Sequence, residues 1–423
     1  MSRIRTCPGS QGASMRKITE ENAGFGTFIA FSCLPLSGMT TDVYLPSLPA
    51  MSSAFHTSPS VTQLSLTFFM IGIGVTQFFI GNVLDSFGRY RTGVVALFLF
   101  VLSNVALIYS PNIWVVNVLR LLQGVCVGSV VVGKRAFFVD VFQGDRLKGF
   151  LSWFTIVWSA GPILAPFLGG YLQEGFGWQA NFVFLAFYAG AILVLELLFG
   201  GESLRHRQRF HLPAIAERYR TMLTHSGFML SVLNLVLAYS AIFVFSLSAP
   251  FIIEHTLQQS PVVTGYAALL MGFAWMVGGL IAKSQLHRGL IQKHAVIAAE
   301  MLGVAIVMLL ISVGTSNLVT LLLCCFLVHV AAGALYNIYF TECLTMFPKN
   351  AGLASGLAGG CAFLLTSVAS YGVVAAIDVR GQGQLALAYL IFAALIAAAW
   401  MMGRMIMARR WAGTPVEAPA KGA

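Results

Sequence analysis

Two ionisable residues interrupt long apolar runs in this chain, and together they could carry a proton. Asp42 lies in Thr41-Asp42-Val43-Tyr44-Leu45-Pro46-Ser47-Leu48-Pro49 and is the only acidic residue between Glu21 and Asp85. Arg120 lies in Arg120-Leu121-Leu122-Gln123-Gly124-Val125 and is the only basic residue between Arg91 and Lys134. A charged side chain inside an apolar span costs roughly 2.5–3.5 kcal/mol on insertion scales, so it is retained for a partner or a task. Burial and a nearby guanidinium pull on a carboxyl's acidity in opposite senses, which leaves a group able both to load and to release a proton. The competing readings are a permanently ionised structural pair and, for Asp42, a simple helix end at the membrane surface. Pro46 and Pro49 remove backbone donors and are expected to bend or end the helix there.

The rest of the chain has to position these groups. Hydrophobic residues make up 58% of its 423 residues and charged residues only 9%, against about 25% charged in a soluble domain. That surplus cannot be hidden in a core, so apolar surface must face lipid; the mean hydropathy of +0.82 agrees. A membrane helix needs about 20 mostly apolar residues. Twelve such spans can be read, near 25–48, 61–83, 92–110, 112–138, 149–172, 179–200, 227–250, 262–283, 294–314, 317–341, 351–376 and 384–407. The expected domains are a leader over 1–24, a six-span bundle over 25–200, a linker over 201–226, a second bundle over 227–407 and a tail over 408–423. The first apolar run is too long for a signal-peptide core and reads as an uncleaved membrane helix.

Charge fixes the orientation, because basic loops resist translocation. Arg3, Arg5, Arg16 and Lys17 lie in the leader, Arg89 and Arg91 follow span 2, and Arg146 and Lys148 follow span 4. Arg205, Arg207, Arg209, Arg218 and Arg220 fill the linker; Lys283, Arg288 and Lys293 follow span 8 and Lys349 follows span 10. Arg404, Arg409, Arg410 and Lys421 close the chain, while the loops after spans 1, 3, 5, 7 and 9 hold no Lys or Arg. Arg380 is the exception. Both termini are therefore expected in the cytoplasm. The net charge of +10 records topology and contact with anionic headgroups; no nucleic-acid partner is expected. Cys33, Cys126, Cys324, Cys325 and Cys361 lie in apolar spans, Cys343 near a helix end and Cys7 in the leader, with no metal-ligand or disulfide spacing among them.

The loop after span 2 reads Gly81-Asn82-Val83-Leu84-Asp85-Ser86-Phe87-Gly88-Arg89-Tyr90-Arg91. The two glycines allow a tight turn and close helix approach. Asp85 can accept from a helix N-terminus, and Arg89 can reach a second carboxylate, with Asp140 placed to join them. The loop resembles motif A of the major facilitator superfamily, departing at Ser86 and Tyr90, where basic residues are usual. Arg120-Leu121-Leu122-Gln123-Gly124 is similar to motif B. In span 5, Gly161-Pro162-Ile163-Leu164-Ala165-Pro166-Phe167-Leu168-Gly169-Gly170 resembles motif C, the antiporter motif, with Ala165 in place of its first Gly. The Asp42 stretch resembles the signature ending helix 1 of bicyclomycin/chloramphenicol-resistance-type drug:proton antiporters. The segment Phe347-Pro348-Lys349-Asn350-Ala351-Gly352-Leu353-Ala354-Ser355 resembles theirs before helix 11.

The resemblance covers about residues 25–405. It implies an all-α membrane protein of twelve helices in two six-helix bundles around a central cavity that opens alternately to each side. It further implies efflux of small lipophilic compounds, cationic or neutral, in exchange for protons across a bacterial inner membrane, by a monomer without cofactor or metal. On the reading of the residues, proton coupling is expected of Asp42 and Arg120 and a conformational gate of Gly81, Asp85, Gly88, Arg89 and Asp140, while the resemblance gives the antiporter motif Pro166, Gly169 and Gly170. It places Tyr44, Gln123, Trp158, Tyr239, Tyr336 and Asn337 around the cavity. Lys134, Glu196 and Glu300, near helix ends, are expected to reach for the headgroups, and His329 to be a bonded core histidine; Arg135 stays open between snorkelling and a partner. A proton symporter importing a solute would use the same fold. A membrane enzyme would need a nucleophile–base or metal constellation at one depth, and none is legible.

Overall fold

A computed structural model describes residues 17–204, 212–285 and 289–412. Every apolar run is a helix, as it must be where no water satisfies backbone groups. The spans are Gly24–Ala54, Pro59–Phe87, Arg89–Ile108, Ile113–Val141, Gly144–Phe176, Gln179–Phe199, Ser226–Thr256, Pro261–Ser284, Leu290–Gly314, Leu318–Met346, Ala351–Ile377 and Gln382–Met405. Local chemistry sets their ends. Side chains of Ser58, Asn112 and Asn317 accept amide hydrogens in the first turns of spans 2, 4 and 10. Gly88, at φ 100°, ends span 2 in a conformation that other residues rarely adopt.

Span 1 is longer than expected and broken. It consists of helices Gly24–Cys33 and Leu36–Asp42, a 3-10 turn Leu45–Ser47 and a helix Leu48–Ala54. Pro46 and Pro49 do not end it. Each lies in the first turn of a following helical piece, where no amide is needed. Asp42 thereby closes one piece at a backbone break. The linker also holds a helix, Leu212–Leu223; Arg205, Arg207 and Arg209 lie outside the described residues, as do Arg3, Arg5, Cys7, Arg16, Arg288 and Lys421.

Small residues let the spans of each bundle touch backbone to backbone. A Cβ on Gly72 would stand 2.3 Å from the Leu121 carbonyl oxygen, and one on Gly124 would stand 2.1 Å from that of Phe69, so spans 2 and 4 cross beside Gln123. Spans 1 and 5 meet likewise at Gly38 against Pro162 and at Gly169 against Val43. The two bundles meet along spans 2 and 11, where Gly74 faces Gly360, and along spans 5 and 8, where Gly265 faces Pro166. At the end of the molecule away from the basic loops, here the far end, Gln63 donates to the Leu247 carbonyl at 2.8 Å and the Tyr171 and Tyr266 hydroxyls meet at 3.1 Å. The far end is thus closed. Near the basic end, the linker helix spans the bundles. Tyr219 donates to the Phe78 carbonyl of span 2 at 2.8 Å, while Met222 packs with Phe228 and Leu357 of spans 7 and 11. Burial pushes the Tyr219 phenol up to about 12, so it stays a donor at neutral pH. The six described cysteines are free thiols.

Candidate functional site

Arg120 is wholly enclosed, with 0% exposure. Its Nη2 donates to the Thr40 carbonyl at 3.0 Å and its Nη1 to Gln123 Oε1 at 2.7 Å. Its guanidinium carbon lies 4.3 Å from the ring centre of Tyr44 and 4.2 Å from that of Phe69. A guanidinium is tolerated at this depth because a carbonyl, an amide and two π faces replace its water. The Thr40 carbonyl is at hand because it lies in the last turn of the piece Leu36–Asp42, where carbonyls go without helical partners.

Asp42 therefore does not form the ion pair with Arg120 that their depths suggest. Its carboxyl group is half-buried and has no hydrogen-bond or ion-pair partner among the described residues. It lies within electrostatic range of Arg120 and of Tyr239 in the opposite bundle. Asp42 thus lies near residues of both bundles.

In the opposite bundle stands an aromatic cluster. Tyr239 lies 5.6 Å from Tyr336, 6.0 Å from Trp275 and 5.8 Å from Phe363, ring centre to ring centre. Trp275 and Tyr336 are 5.0 Å apart. The rings are half-buried, and the hydroxyls of Tyr239 and Tyr336 have no bonded partner among the described residues. Asn337 donates to the Gly333 carbonyl at 2.8 Å and sits one residue along from Tyr336. Trp275 was not legible as part of this group: a tryptophan in an apolar span signals nothing until its neighbours are known.

Two expected cavity residues are not there. Tyr44 and Gln123 are both 0% exposed. The Tyr44 ring is a platform for Arg120 and its hydroxyl meets Ser65 Oγ at 3.2 Å; the Gln123 oxygen is taken by Arg120. Burying the charge requires both. Trp158 is half-buried, and its Nε1 donates to Ser37 Oγ at 3.0 Å, which ties span 5 to the piece of span 1 that ends in Asp42.

At the basic end Arg89 gathers Asp85 and Asp140. Its side chain grips Asp140 through both Nε and Nη2 and lies 3.1 Å from Asp85. Two unforeseen residues complete the knot. Glu202 accepts from the Arg89 amide at 3.0 Å, which puts an anion at the N-terminus of span 3, and Ser203 donates to Asp140 at 3.1 Å. Asp85 bonds to no helix N-terminus among the described residues; Arg89 holds it instead. Gly88 has the turn role expected of it, but Gly81 does not approach another helix, since a Cβ there would meet nothing within 4 Å. The antiporter motif faces two ways. A Cβ on Gly169 would stand 1.6 Å from the Val43 carbonyl oxygen within the bundle, and one on Gly170 2.8 Å from the Pro261 carbonyl across the seam.

Lys134 and Glu196 do not reach for headgroups. Lys134 Nζ bonds Glu196 Oε2 at 2.7 Å, with 12% and 3% of the side chains exposed. Span 3 packs against both span 4 and span 6, and the two long side chains meet inside the bundle, so pairing costs less than parting them to reach water. Arg135 is exposed, its guanidinium 5.8 Å from the Phe154 ring centre. Glu300 is exposed on span 9, and His329 is the bonded core histidine expected, meeting the Cys325 carbonyl at 2.7 Å.

Comparison with known proteins agrees with this geometry. The profile of the Major Facilitator Superfamily matches residues 30–370. An uncharacterised MFS-type transporter of Bacillus subtilis is 29% identical over 343 residues, spanning 79% of this chain and 85% of the relative. Multidrug resistance protein D of Escherichia coli is 24% identical over 374 residues, spanning 86% and 91%. A bicyclomycin resistance protein homolog of Haemophilus influenzae is 30% identical over 182 residues, spanning 43% and 45%. Among solved structures, the xylose transporter XylE of E. coli, in a partially occluded inward-open conformation, superposes with a TM-score of 0.67 at 16% identity over 95% of this chain and 100% of that one. The family profile spans most of the chain and the chain has twelve membrane-length apolar helices, so it is an integral membrane transporter of the major facilitator superfamily.

Proposed function

We propose that this transporter is a proton-coupled antiporter that exports small lipophilic, cationic or neutral, drug-like compounds by alternating access. The basic end faces the cytoplasm, both termini lie there, and the far end faces outward across a bacterial inner membrane. The chain acts as a monomer, with bundles over 25–200 and 227–407 joined by the linker 201–226. Asp42 carries the proton and Arg120 tunes its acidity from a fixed position. The Asp85–Arg89–Asp140 knot, turned on Gly88, is the cytoplasmic gate, and Pro166, Gly169 and Gly170 seal the seams. Substrate lies between Asp42 and the group Tyr239, Tyr336, Asn337 and Trp275, with Trp158 at its edge. The observation that supports this best is the carboxyl of Asp42, unpartnered among the described residues at a helix break and within electrostatic range of Tyr239 of the opposite bundle. A cation can exchange with a proton there because, among the described residues, no protein cation pairs with the carboxyl. Aromatic faces favour such a ligand. The resistance-related names of two relatives favour export over uptake.

Asp42→Asn tests the reading. Reconstituted with an imposed pH gradient, the variant should reach wild-type abundance and bind neutral compounds, yet fail to drive cations uphill. Pumping of a cationic substrate at the wild-type rate would remove Asp42 from the proton's path. Solute uptake together with protons, in vesicles of known orientation, would reverse the direction assigned.

A further inference from the structure

The far end is closed by a contact that is chemically odd. Gln63 of span 2 is 2% exposed, and its Nε2 donates to the Leu247 carbonyl of span 7 at 2.8 Å. Among the described residues it is the only wholly buried side-chain hydrogen bond between the two bundles; the Tyr171–Tyr266 pair is exposed. The amide is half satisfied, for its Oε1 is buried without a partner. Beside the acceptor, Ser248 is 0% exposed and its hydroxyl is also unpartnered. The seam thus closes over one bond made and two buried polar atoms without a protein partner. Buried polar atoms without partners are costly, and both would be hydrated as soon as the seam parts.

We propose that Gln63, with Ser248 beside its acceptor, is the positioning residue that keeps the far-end seal reversible. The bond to Leu247 registers span 2 against span 7 when the mouth shuts. The two unmet atoms keep the shut state from becoming a trap. This rests on alternating access and adds to it a polar external counterpart to the ionic gate at the other end. An apolar side chain of similar size keeps the burial and removes the unpartnered acceptor, so it should hold the mouth shut rather than open it. A plain lock would behave in the opposite way.

Spin-label distances between Ala54→Cys and Gln259→Cys, exposed far-end positions on opposite bundles, read the mouth directly in lipid. The background replaces Cys7 and the half-buried Cys361; the other cysteines are buried. The parent protein should show a short and a long distance. Gln63→Leu should lower the long-to-short ratio about fivefold, the bias expected of one such group, and slow efflux. Gln63→Glu, still hydratable, should restore the long distance. Ser248→Ala should move the ratio as Gln63→Leu does, and it decides the matter if Gln63→Leu cannot be purified. An unchanged or raised ratio in Gln63→Leu, beside a two-distance parent, overturns the proposal alone. A single distance in the parent at every pH overturns alternating access and the proposal with it.

Discussion

Gly169→Ala should cripple transport through one methyl group. The Cβ it adds would stand 1.6 Å from the Val43 carbonyl oxygen and 2.6 Å from the carbonyl carbon, whereas real Cβ contacts essentially never fall below 3.0 Å. The obstacle is backbone and cannot rotate aside, so spans 1 and 5 have to part by about 1.4 Å there, at an overpacking cost of roughly 1–3 kcal/mol. Val43 adjoins Asp42, and Thr40 nearby is bonded to Arg120. The displacement therefore shifts the carboxyl group relative to the guanidinium. A misplacement of about 1 Å can cost on the order of a hundredfold in rate, so proton-driven efflux should fall at least about tenfold. The controls are Gly81→Ala and Gly149→Ala, where a Cβ meets nothing within 4 Å. Both lie inside helices, where Ala is favoured over Gly by about 1 kcal/mol, and both should melt no lower than the parent. Efflux into proteoliposomes and tryptophan-monitored melting would be measured on all three. A Gly169→Ala protein that pumps and melts like Gly81→Ala would show that the glycine does not set the position of Asp42.

Lys134→Met should strand Glu196, 3% exposed, and cost roughly 3–5 kcal/mol, while the double variant with Glu196→Leu should recover most of that; equal melting of single and double variants would count against a buried pair. Asp85→Asn should weaken the hold of Arg89 and shift the population toward the state open at the basic end. It should raise thiol labelling of cysteines placed in that half of the seam, and unchanged labelling would argue against a gate. Reporter fusions after Gln173 and Ser316 should read external and fusions after Arg89 cytoplasmic, with a cytoplasmic signal at Gln173 breaking the twelve-span topology.

The sequence reading went furthest where the bilayer itself imposes the rule. Lipid admits only helices of a certain length, so counting apolar residues found all twelve spans. Loop charge gave their alternation, and the exception Arg380 sits 2.7 Å from Asp378 on an exposed loop, where its charge is offset. The loop network of Asp85, Arg89 and Asp140 was readable because its spacing lies within one segment and one nearby helix end.

Which polar group meets which was not readable. Asp42 and Arg120 agree in depth, and depth is all that counting along a helix supplies. The rotation of span 4 turns Arg120 onto Thr40, Gln123, Tyr44 and Phe69 instead. The same arrangement leaves Tyr44 and Gln123 wholly buried, and the packing of span 3 against spans 4 and 6 lets Lys134 meet Glu196. Glu202 and Trp275 acquire roles only from neighbours far away in sequence. By itself the sequence determined that the chain crosses the membrane twelve times, which end is basic and which residues carry charge into the bilayer. The tertiary structure decided what those charges touch, because a few tens of degrees of helix rotation exchange one partner for another without altering hydrophobic length or loop charge.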